Sequence, residues 1–425
     1  MSAQSVRLAF GRSGLDVDLP AGADVLVPRS REPLADPGAA LQRAIRAPSS
    51  GRPLAEIAPP GSTVAVSVCD VTRAFPGAVV LPVLIDELPG RAIRLVVATG
   101  SHRPCTPDEL IAMFGREVVG ACEIVQHDAD DEASHVVLGT VPGSDVPARI
   151  DRRFVQADAR VTLGFVEPHF FAGFSGGPKM VAPGLAGLDT IRELHSAARI
   201  ASPKATWGVL EGNPVHDPVR AIAARADVSF ALDVALDDGH RIAAVFSGDL
   251  ATEHRAACEH VRETAMVPVD APYDVVLVTN TGYPLDQNLY QCVKGLRAAA
   301  GIVRDGGTIL LVAACEDGLP AHGRYASLLG RSATPAGFLE ALERGEIGER
   351  DQWQVQVQAE ILARVRCLAH APGVVPKDLR RAWMEPVDDP GRAFAVALAD
   401  AGPGARGAIL PMGPETIAYV RAAPA

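Results

Sequence analysis

Short apolar runs rich in β-branched residues recur along the chain, and each run ends in a polar or glycine-containing turn. Continuous runs of valine, isoleucine and leucine of this length are typical of strands buried on both faces, as in parallel sheets covered by helices. The pattern therefore predicts strands at Ser62 to Cys69, Ile93 to Thr99, Arg160 to Val166, Tyr273 to Thr279 and Gly307 to Ala313.

Helix start signals lie between these runs. Thr106 to Glu109 has the form of a capping box, with a proline at the first helical position. Asn288 is a favoured N-cap residue, and Gln291 stands three positions later. Helices are accordingly predicted at Leu110 to Val119, Asp189 to Ile200, Thr252 to Ala265 and from Asn288 to Arg304.

The segment Val228 to Phe246 has a different pattern, in which two β-like runs flank the sequence Asp237-Asp238-Gly239-His240. A turn sequence of this kind between two strands predicts an antiparallel hairpin. The expected fold class is therefore α/β, with mainly parallel sheets plus an antiparallel hairpin.

The length of 425 residues favours two domains, since domains usually contain roughly 100–200 residues. The segment Val267 to Pro272 is proline-rich and lacks helical periodicity, so we interpret it as the linker. The expected domains are thus 1–268 and 273–425, both α/β. The last residues, Thr416 to Arg421, can pack on either domain, the N-terminal one included.

Composition narrows the possible functions and locations. The formal net charge of −11 argues against a nucleic-acid binder, which normally carries a basic face. Seven cysteines without a C-x-x-C pair indicate neither a zinc ribbon nor a disulfide framework, so a reducing compartment is expected. No signal-peptide pattern and no apolar run of about 20 residues is present, and we predict a cytoplasmic protein that does not enter membranes.

Two polar clusters directly follow predicted strands, where ligands of α/β sheets bind. The first contains Asp70, Thr72 and Arg73; an arginine there can clamp a carboxylate or phosphate, and a helix N-cap with a surface arginine is the alternative. The second contains His102, a natural proton-transfer residue because its ordinary pKa of about 6.5 lies near neutral pH. Taken alone, a loop histidine is more often structural.

A third cluster runs from Gly164 to Lys179, with glycines that allow close approach of the backbone to a bulky anion. It matches neither the Walker A spacing nor G-x-G-x-x-G, which argues against nucleoside triphosphate hydrolysis and a standard dinucleotide site. His195 follows in a predicted helix, where it can share a buried face with Ile191. No H-E-x-x-H zinc motif occurs, although imidazole also suits nickel and copper.

A fourth cluster lies in the second predicted domain. On a helix, Tyr290 and Lys294 are four residues apart and Gln291 and Lys294 three, so the side chains can converge into a receptor for a small carboxylate. A solvated helix face is the alternative. Trp353 is one of three tryptophans, and either core packing or stacking on a flat cofactor accounts for it.

Together the four clusters resemble the lactate racemase family, nickel-pincer nucleotide enzymes that racemise or epimerise 2-hydroxy acids. The segments that carry the resemblance are CDVTRAF, ATGSHRP, GFVEPHFFAGFSGGPKMVAPGLAG with the following His195, and YPLDQNLYQCVKG. They occur in the family's order, and the combination is more specific than any one of them.

The resemblance implies an active-site cleft between two α/β domains, and a cofactor bound by the first. In this family a lysine matching Lys179 is joined through a thioamide to a pyridinium-3-thioamide-5-thiocarboxylate mononucleotide that holds nickel. A histidine matching His195 completes the metal coordination. Histidines matching His102 and His169 form the acid/base pair.

The resemblance also implies the residues around the substrate. Arg73, Gln291 and Lys294 match residues that hold the substrate or its carboxylate. Tyr290 lies beside them, and Asp70 is expected to orient the first histidine. Trp353 is placed beside the cofactor on approximate spacing only. The chain departs from the family pattern at Cys69 and at Ala74, where an acidic residue and a proline are common.

The expected reaction is racemisation or epimerisation of a small anionic 2-hydroxy acid through a 2-keto acid, with lactate as one candidate. Accessory proteins that synthesise the cofactor are expected partners. Two alternatives remain at this stage: a simple metal-dependent hydrolase or lyase, and a non-enzymatic carrier of the metallocofactor. A nicotinamide-dependent dehydrogenase is disfavoured by the missing glycine fingerprint.

Overall fold

The computed structural model of the protein describes residues 3–29, 31–237, 239–320 and 323–421. The chain divides into two compact units, named here for their position along the sequence: the central unit, Ser30–Thr264, and the terminal unit, Met1–Arg29 with Ala265–Ala425. The division falls close to the expected linker, but it groups the first 29 residues with the C-terminal part. The domain limits 1–268 and 273–425 stay a prediction.

Strands make up the two main sheets and several hairpins. In chain order they are β1 (Ala3–Leu8), β2 (Leu15–Pro20), β3 (Asp24–Val25), β4 (Thr63–Cys69), β5 (Ala92–Ala98), β6 (Glu123–Gln126), β7 (His135–Thr140), β8 (Pro147–Asp151), β9 (Ala159–Phe165), β10 (Pro168–His169), β11 (Gly173–Phe174), β12 (Phe230–Leu236), β13 (Ile242–Gly248), β14 (Met266–Val269), β15 (Tyr273–Val278), β16 (Val303–Val312), β17 (Arg366–His370), β18 (Glu385–Pro386), β19 (Gly407–Leu410) and β20 (Ile417–Val420).

Helices connect these strands, with short 3-10 turns at Glu132–Ser134, Gly177–Met180 and Gly413–Glu415. In chain order the α-helices are α1 (Pro37–Arg46), α2 (Leu54–Ile57), α3 (Gly77–Asp86), α4 (Pro107–Phe114), α5 (Arg116–Ala121), α6 (Arg152–Val155), α7 (Leu188–Leu194), α8 (Ala197–Ile200), α9 (His216–Arg225), α10 (Leu250–Ala265), α11 (Leu289–Ala300), α12 (Tyr325–Leu329), α13 (Pro335–Glu343), α14 (Gln352–Leu362), α15 (Pro376–Arg381) and α16 (Pro390–Asp400).

The central unit is built on a six-stranded sheet in the order β13-β12-β9-β4-β5-β6. Its strands are parallel except for β13, which pairs antiparallel with β12. Strands β9 and β12 are buried along almost their whole length, as continuous apolar runs require. Since the strands run the same way, the ends of β4, β5 and β9 meet at one edge of the sheet.

The terminal unit has a second six-stranded sheet in the order β18-β17-β16-β15-β19-β3, parallel throughout. Its core includes Leu277, Leu310 and Ile409 from three neighbouring strands, together with Phe394 of α16. The N-terminal hairpin β1–β2 contributes Leu8 to the same core, and this burial explains why the first residues belong to this unit.

The predicted fold class is confirmed: the structure is mixed α/β, mostly parallel, with antiparallel hairpins. All five strands read from the apolar runs are present as β4, β5, β9, β15 and β16, with ends shifted by up to four residues. The predicted hairpin is β12–β13; Asp238 of its turn lies outside the described residues.

Two of the predicted helices are each divided in two. The helix that begins with the Thr106 capping box ends at Phe114, because Gly115 has φ +85°, and α5 follows. The helix predicted over 189–200 ends at Leu194 and resumes as α8. The Asn288 cap is confirmed, but α11 ends at Ala300 instead of reaching Arg304, where β16 has already begun.

The segment expected as a linker contains strand β14, which pairs in parallel with β20. Strand β20 therefore packs within the terminal unit. In the described ranges, no helix has both the length and the apolar character needed to span a bilayer.

Candidate active site

A buried aspartate and a half-exposed histidine form a hydrogen-bonded pair at the edge of the central sheet. Asp70 directly follows β4, and His102 lies in the turn after β5; the two strands pair in register so that Cys69 faces Ala98. Asp70 Oδ2 and His102 Nδ1 are 2.7 Å apart. The parallel register of neighbouring strands thus brings together two residues that lie 32 positions apart.

The Asp70 carboxylate is held in its charged form. Burial alone would raise its pKa, but the charge and hydrogen bond of His102, the charge of Arg73 and the hydroxyl of Thr72 together lower it to about 2. Thr72 donates to Oδ1 from its hydroxyl at 2.6 Å and from its amide at 3.2 Å. At neutral pH Asp70 therefore accepts a hydrogen bond from the protonated Nδ1 of His102. A neutral His102 then has its lone pair on Nε2.

Arg73 lies in the same loop and is half-buried. Its Nη1 donates to the carbonyl and the hydroxyl of Thr72, at 3.3 and 3.2 Å. These contacts use one end of the guanidinium, whose planar shape also suits binding of a carboxylate.

His169 lies at the end of a two-residue strand in the β10–β11 hairpin, where it pairs with Gly173. Its Nδ1 accepts the backbone amides of Phe171 and Ala172, both at 3.2 Å. A nitrogen that accepts two N–H groups carries no proton, so a neutral His169 has its proton on Nε2. His102 and His169 therefore present opposite states of Nε2, one an acceptor and one a donor.

The glycine-rich segment before Lys179 is closely packed. Gly173 and Gly177 both have positive φ, and a Cβ would lie 2.2 Å from the Val209 carbonyl oxygen at the first and 2.4 Å from the His254 ring at the second. Only glycine fits without displacing these neighbours. The tight turn leads into the 3-10 turn Gly177–Met180, which contains Lys179.

The loops that carry His102 and Lys179 are joined by backbone hydrogen bonds. Gly184 donates to the Lys179 carbonyl at 3.2 Å, and the Gly184 carbonyl accepts from Gly100 at 2.9 Å. Ser67 of β4 donates from its hydroxyl to the Met180 carbonyl at 2.6 Å. The carboxyl edge of the sheet therefore holds the predicted acid/base residue and the predicted attachment lysine in one hydrogen-bonded framework.

His195 directly follows α7 as its C-cap, so the prediction that it lies inside a continuous helix is wrong. The residue is half-buried. Its Nδ1 donates to the Ile191 carbonyl at 2.8 Å. Burial and the nearby Lys179 charge together lower its pKa to about 4, against the effect of that hydrogen bond. The imidazole is therefore neutral at pH 7 with the lone pair on Nε2, the form that binds a metal ion.

These features fit the cofactor that the resemblance implies. The Lys179 charge acts on the pKa of His195, so the two side chains lie in the same region of the central unit. Imidazole nitrogen is a suitable ligand for nickel. In the described parts of the chain no cluster of three His, Cys, Asp or Glu residues is arranged to hold a metal ion.

Helix α11 of the terminal unit carries the fourth cluster. Asn288 caps the helix by accepting the Gln291 amide at 3.2 Å. Gln291 is buried, while Tyr290 and Lys294 are half-buried and one helical turn apart. The Tyr290 ring meets the ring of Tyr325 edge-on, with centroids 5.4 Å apart.

Trp353 lies near the start of α14 and is only 5% exposed. The next residue, Gln354, donates from its side chain to the Tyr290 carbonyl at 2.6 Å, which ties α14 to the first turn of α11. The terminal unit thus brings Trp353 and the predicted carboxylate receptor onto neighbouring helices.

Comparison with known proteins places these motifs in a family. The model of the lactate racemase N-terminal domain matches residues 10–208, and that of the lactate racemase C-terminal domain matches residues 269–417. The chain is 34% identical to a lactate racemase from Thermoanaerobacterium thermosaccharolyticum, over 92% of this chain and 94% of that protein. It is 36% identical to a lactate racemase from Lactiplantibacillus plantarum, over 88% and 89% of the two chains. The chain belongs to the lactate racemase family.

Solved structures agree with this membership. The lactate racemase apoprotein from Thermoanaerobacterium thermosaccharolyticum superimposes with a TM-score of 0.90 at 31% identity, covering 99% of this chain and all of that one. A protein from Thermotoga maritima shares the fold, with a TM-score of 0.70 at 15% identity over 92% of this chain. The resemblance read from four sequence segments is therefore confirmed, and the roles of single residues in this lactate racemase family member stay predictions.

Several buried residues beneath the lysine turn were not anticipated. His254 of α10 donates from Nε2 to the Ser175 carbonyl at 2.9 Å, and its ring stacks on that of His216 at 5.8 Å. Asp233 of β12 accepts the Gly177 amide at 2.6 Å. One signal was available, because Asp233 is a charged residue within an otherwise apolar strand. The position of α10 against this strand could not be read from the sequence.

A second unanticipated group supports the segment between Lys179 and His195. The fully buried His127 ring faces Asp151 Oδ2 at 3.3 Å with Nδ1 and the Ala186 carbonyl at 3.0 Å with Nε2. Arg153 completes an ion pair with Asp151. His127 follows β6, whereas Asp151 ends β8 and Arg153 lies in α6, so the spacing of the histidine from the other two residues gave no motif.

Proposed function

We propose that this member of the lactate racemase family is a racemase of a small 2-hydroxy acid, with lactate as the first substrate to test. The proposal includes a nickel-pincer nucleotide attached to Lys179, with His195 as the protein ligand of the nickel. The two curated relatives are lactate racemases and align over most of the chain, which supports the substrate class.

The observation that carries the chemical proposal is the opposite Nε2 state of two histidines in one unit. Racemisation of a hydroxy acid needs one group that removes the hydroxyl proton and another that assists the oxygen on the other face. His102 offers an Nε2 lone pair because Asp70 accepts from its Nδ1 at 2.7 Å. His169 offers an Nε2 proton because its Nδ1 accepts two backbone amides.

In the proposed reaction His102 Nε2 accepts the substrate hydroxyl proton. The buried Asp70 carboxylate stabilises the imidazolium that results, as a charged partner does for any buried histidine cation. Thr72 holds this carboxylate in place through two hydrogen bonds. His169 donates a hydrogen bond from Nε2 to the substrate oxygen on the opposite side of the planar 2-keto acid, and the His102 imidazolium returns its proton to the oxygen once the Cα–H bond has formed again.

Arg73, Gln291 and Lys294 are proposed to bind the substrate carboxylate, with Tyr290 beside them. Cations are needed for this task because the chain carries a net charge of −11 and its overall field repels anions. The nickel-pincer nucleotide, when bound, supplies an acceptor for hydride from the substrate Cα. Trp353 is proposed to pack against the flat ring of that group.

The attachment test is mass spectrometry of the protein produced together with cofactor-synthesis proteins. We expect a mass increase that peptide mapping places on Lys179, accompanied by nickel, and no increase in Lys179→Ala. The host must load a known lactate racemase in parallel. An unmodified Lys179 under those conditions would refute the proposed attachment.

A further inference from the structure

Two acidic side chains lie buried beneath the turn that carries Lys179. Asp233 is 1% exposed on β12 and Glu253 is 0% exposed on α10. The two carboxyl groups are neighbours, since each of them acts on the pKa of the other. Asp233 Oδ2 also accepts the Gly177 amide at 2.6 Å, two residues before Lys179.

The hydrogen-bond inventory of this pair requires a proton. Asp233 Oδ1 and both oxygens of Glu253 lack a donor from any other described residue. A carboxylate only accepts, so two ionised carboxyl groups in contact would repel each other in a medium of low polarity. A proton on one of them provides the missing donor and removes one buried charge.

The surroundings favour the protonated form. The titratable groups around the pair are Cys69 of β4, Asp249 before α10, and His254 and Cys258 of α10. Burial raises the pKa of both thiols. Burial and the Lys179 charge together lower the pKa of His254 to about 4. These three groups are therefore neutral at pH 7. Asp249 adds a negative charge that disfavours ionisation of Glu253.

The glycines above the pair show how closely the turn rests on it. A Cβ at Gly164 would lie 2.6 Å from Asp233 Oδ1, and one at Gly176 would lie 2.8 Å from Oδ2. A Cβ at Gly177 would meet the His254 ring. The turn, the aspartate and the first turns of α10 therefore form one packed layer.

We propose that Asp233 and Glu253 share one proton, and that this pair positions the lysine turn through the hydrogen bond to the Gly177 amide. Both residues are positioning residues and touch neither substrate nor cofactor. The shared proton does not depend on the proposed function. The importance of the positioned turn for cofactor attachment to Lys179 rests on the proposed function.

The sign of the pH effect follows from the direction of the pKa changes. Burial and the neighbouring carboxyl raise the pKa of Glu253 well above 4.5, and burial raises that of Asp233. The folded pair thus keeps a proton that the unfolded chain releases above about pH 4.5. Its contribution to stability is complete below that pH and is lost as the pH rises through the folded pKa, at about tenfold in the unfolding constant per pH unit for each retained proton.

The test compares the melting temperature of wild type, Glu253→Gln and Glu253→Ala between pH 5 and pH 9, on protein made without cofactor. Glutamine keeps a donor to Asp233 but cannot ionise. The melting temperature of Glu253→Gln relative to wild type should therefore increase by several degrees as the pH rises from 5 to 9. Alanine should melt below glutamine at every pH. Glu259→Gln, an exposed change on the same helix, is the matched control and should follow wild type.

A constant difference between Glu253→Gln and wild type across the pH range would overturn the shared proton. So would equal damage by glutamine and alanine at pH 8.5, because rescue by the neutral isostere is the specific signature. Asp233→Asn provides a second variant, since asparagine can still accept the Gly177 amide; it should also reduce the pH dependence.

The link to Lys179 is tested by its rate of acetylation with an amine-reactive ester, followed by peptide mass spectrometry. Glu253→Ala should change this rate several-fold, and Glu253→Gln should stay within about twofold of wild type. Ile45→Val, a cavity variant in the core of the same unit, controls for a general loss of stability. Equal rates in wild type and Glu253→Ala would overturn the positioning role. Failure of wild type to acquire cofactor would count against the proposed function only.

Discussion

At the scale of single residues, the two candidate acid/base histidines differ in what holds them. His102 is paired with a buried carboxylate, whereas His169 is held by two backbone amides. Only the first arrangement stabilises an imidazolium by charge. We therefore propose separate duties for the two histidines, so that neither can replace the other.

We expect His102→Ala and His169→Ala each to abolish racemisation of the loaded enzyme, since each removes the group on one side of the substrate. The measurement is the rate of conversion from each pure enantiomer, followed by chiral chromatography. His240→Ala, at an exposed histidine, is the control and should retain activity. Full activity in either of the first two variants would remove that histidine from the acid/base role.

Asp70→Asn should lower kcat by about 10²–10⁴-fold, because asparagine provides no charge for the imidazolium and can favour the wrong tautomer of His102. The Michaelis constant should change less, since Asp70 is buried behind the histidine. Steady-state kinetics with matched cofactor loading test this. A variant with unchanged kcat would show that Asp70 has only a structural part in the loop.

At the scale of elements, the apolar runs predicted the strands well because parallel strands buried on both faces leave an uninterrupted signature. Helix ends were predicted less well. Gly115 ends α4 through a positive φ, and α7 ends just before His195, whose Nδ1 bonds to the last full turn. The periodicity of apolar residues continues across both breaks and does not record them.

The candidate site was predictable as far as each residue follows a strand or lies on one helix face. Asp70 and His102 could be placed at one sheet edge, and Tyr290, Gln291 and Lys294 on one helix. The pairing of Asp233 with Glu253 could not be predicted from the sequence, because it depends on how α10 packs against β12. The ring contacts of His127 could not be predicted either, because they depend on the path of the loop through Ala186.

Gly177→Ala should displace the lysine turn. The residue has φ +47°, and a Cβ would lie 2.4 Å from the His254 ring, so we expect a loss of about 1–3 kcal/mol in unfolding free energy. A lower yield of the Lys179 adduct should accompany it. Gly120→Ala, where a Cβ meets nothing within 4 Å, is the control for thermal unfolding and mass analysis. Equal behaviour of the two variants would contradict the close packing.

Lys294→Ala should raise the Michaelis constant for an anionic 2-hydroxy acid about tenfold or more, with a smaller change in kcat. The reason is the loss of a cation proposed to bind the substrate carboxylate, an interaction worth roughly 1.5–3 kcal/mol. Lys377→Ala, at an exposed lysine of the same unit, should leave both constants unchanged. An unaltered Michaelis constant in Lys294→Ala would refute the carboxylate receptor.

At the scale of the whole molecule, the chain combines two α/β units that each carry part of the proposed machinery. The central unit holds the cluster residues Asp70, Arg73, His102, His169, Lys179 and His195, and the terminal unit holds the candidate carboxylate-binding residues Gln291 and Lys294. Membership in the lactate racemase family extends over both units, since separate domain models match each of them. We therefore expect neither unit alone to racemise a substrate.

The most direct test of the central claim is racemisation of lactate that carries deuterium at Cα, performed in ordinary water with loaded enzyme. Transfer of hydride away from Cα and back predicts that the product enantiomer keeps its deuterium, and that either enantiomer ends at an equal mixture. Mass spectrometry after chiral separation measures both quantities. Complete loss of deuterium during racemisation would instead indicate removal of Cα–H as a proton, and would contradict the proposed mechanism.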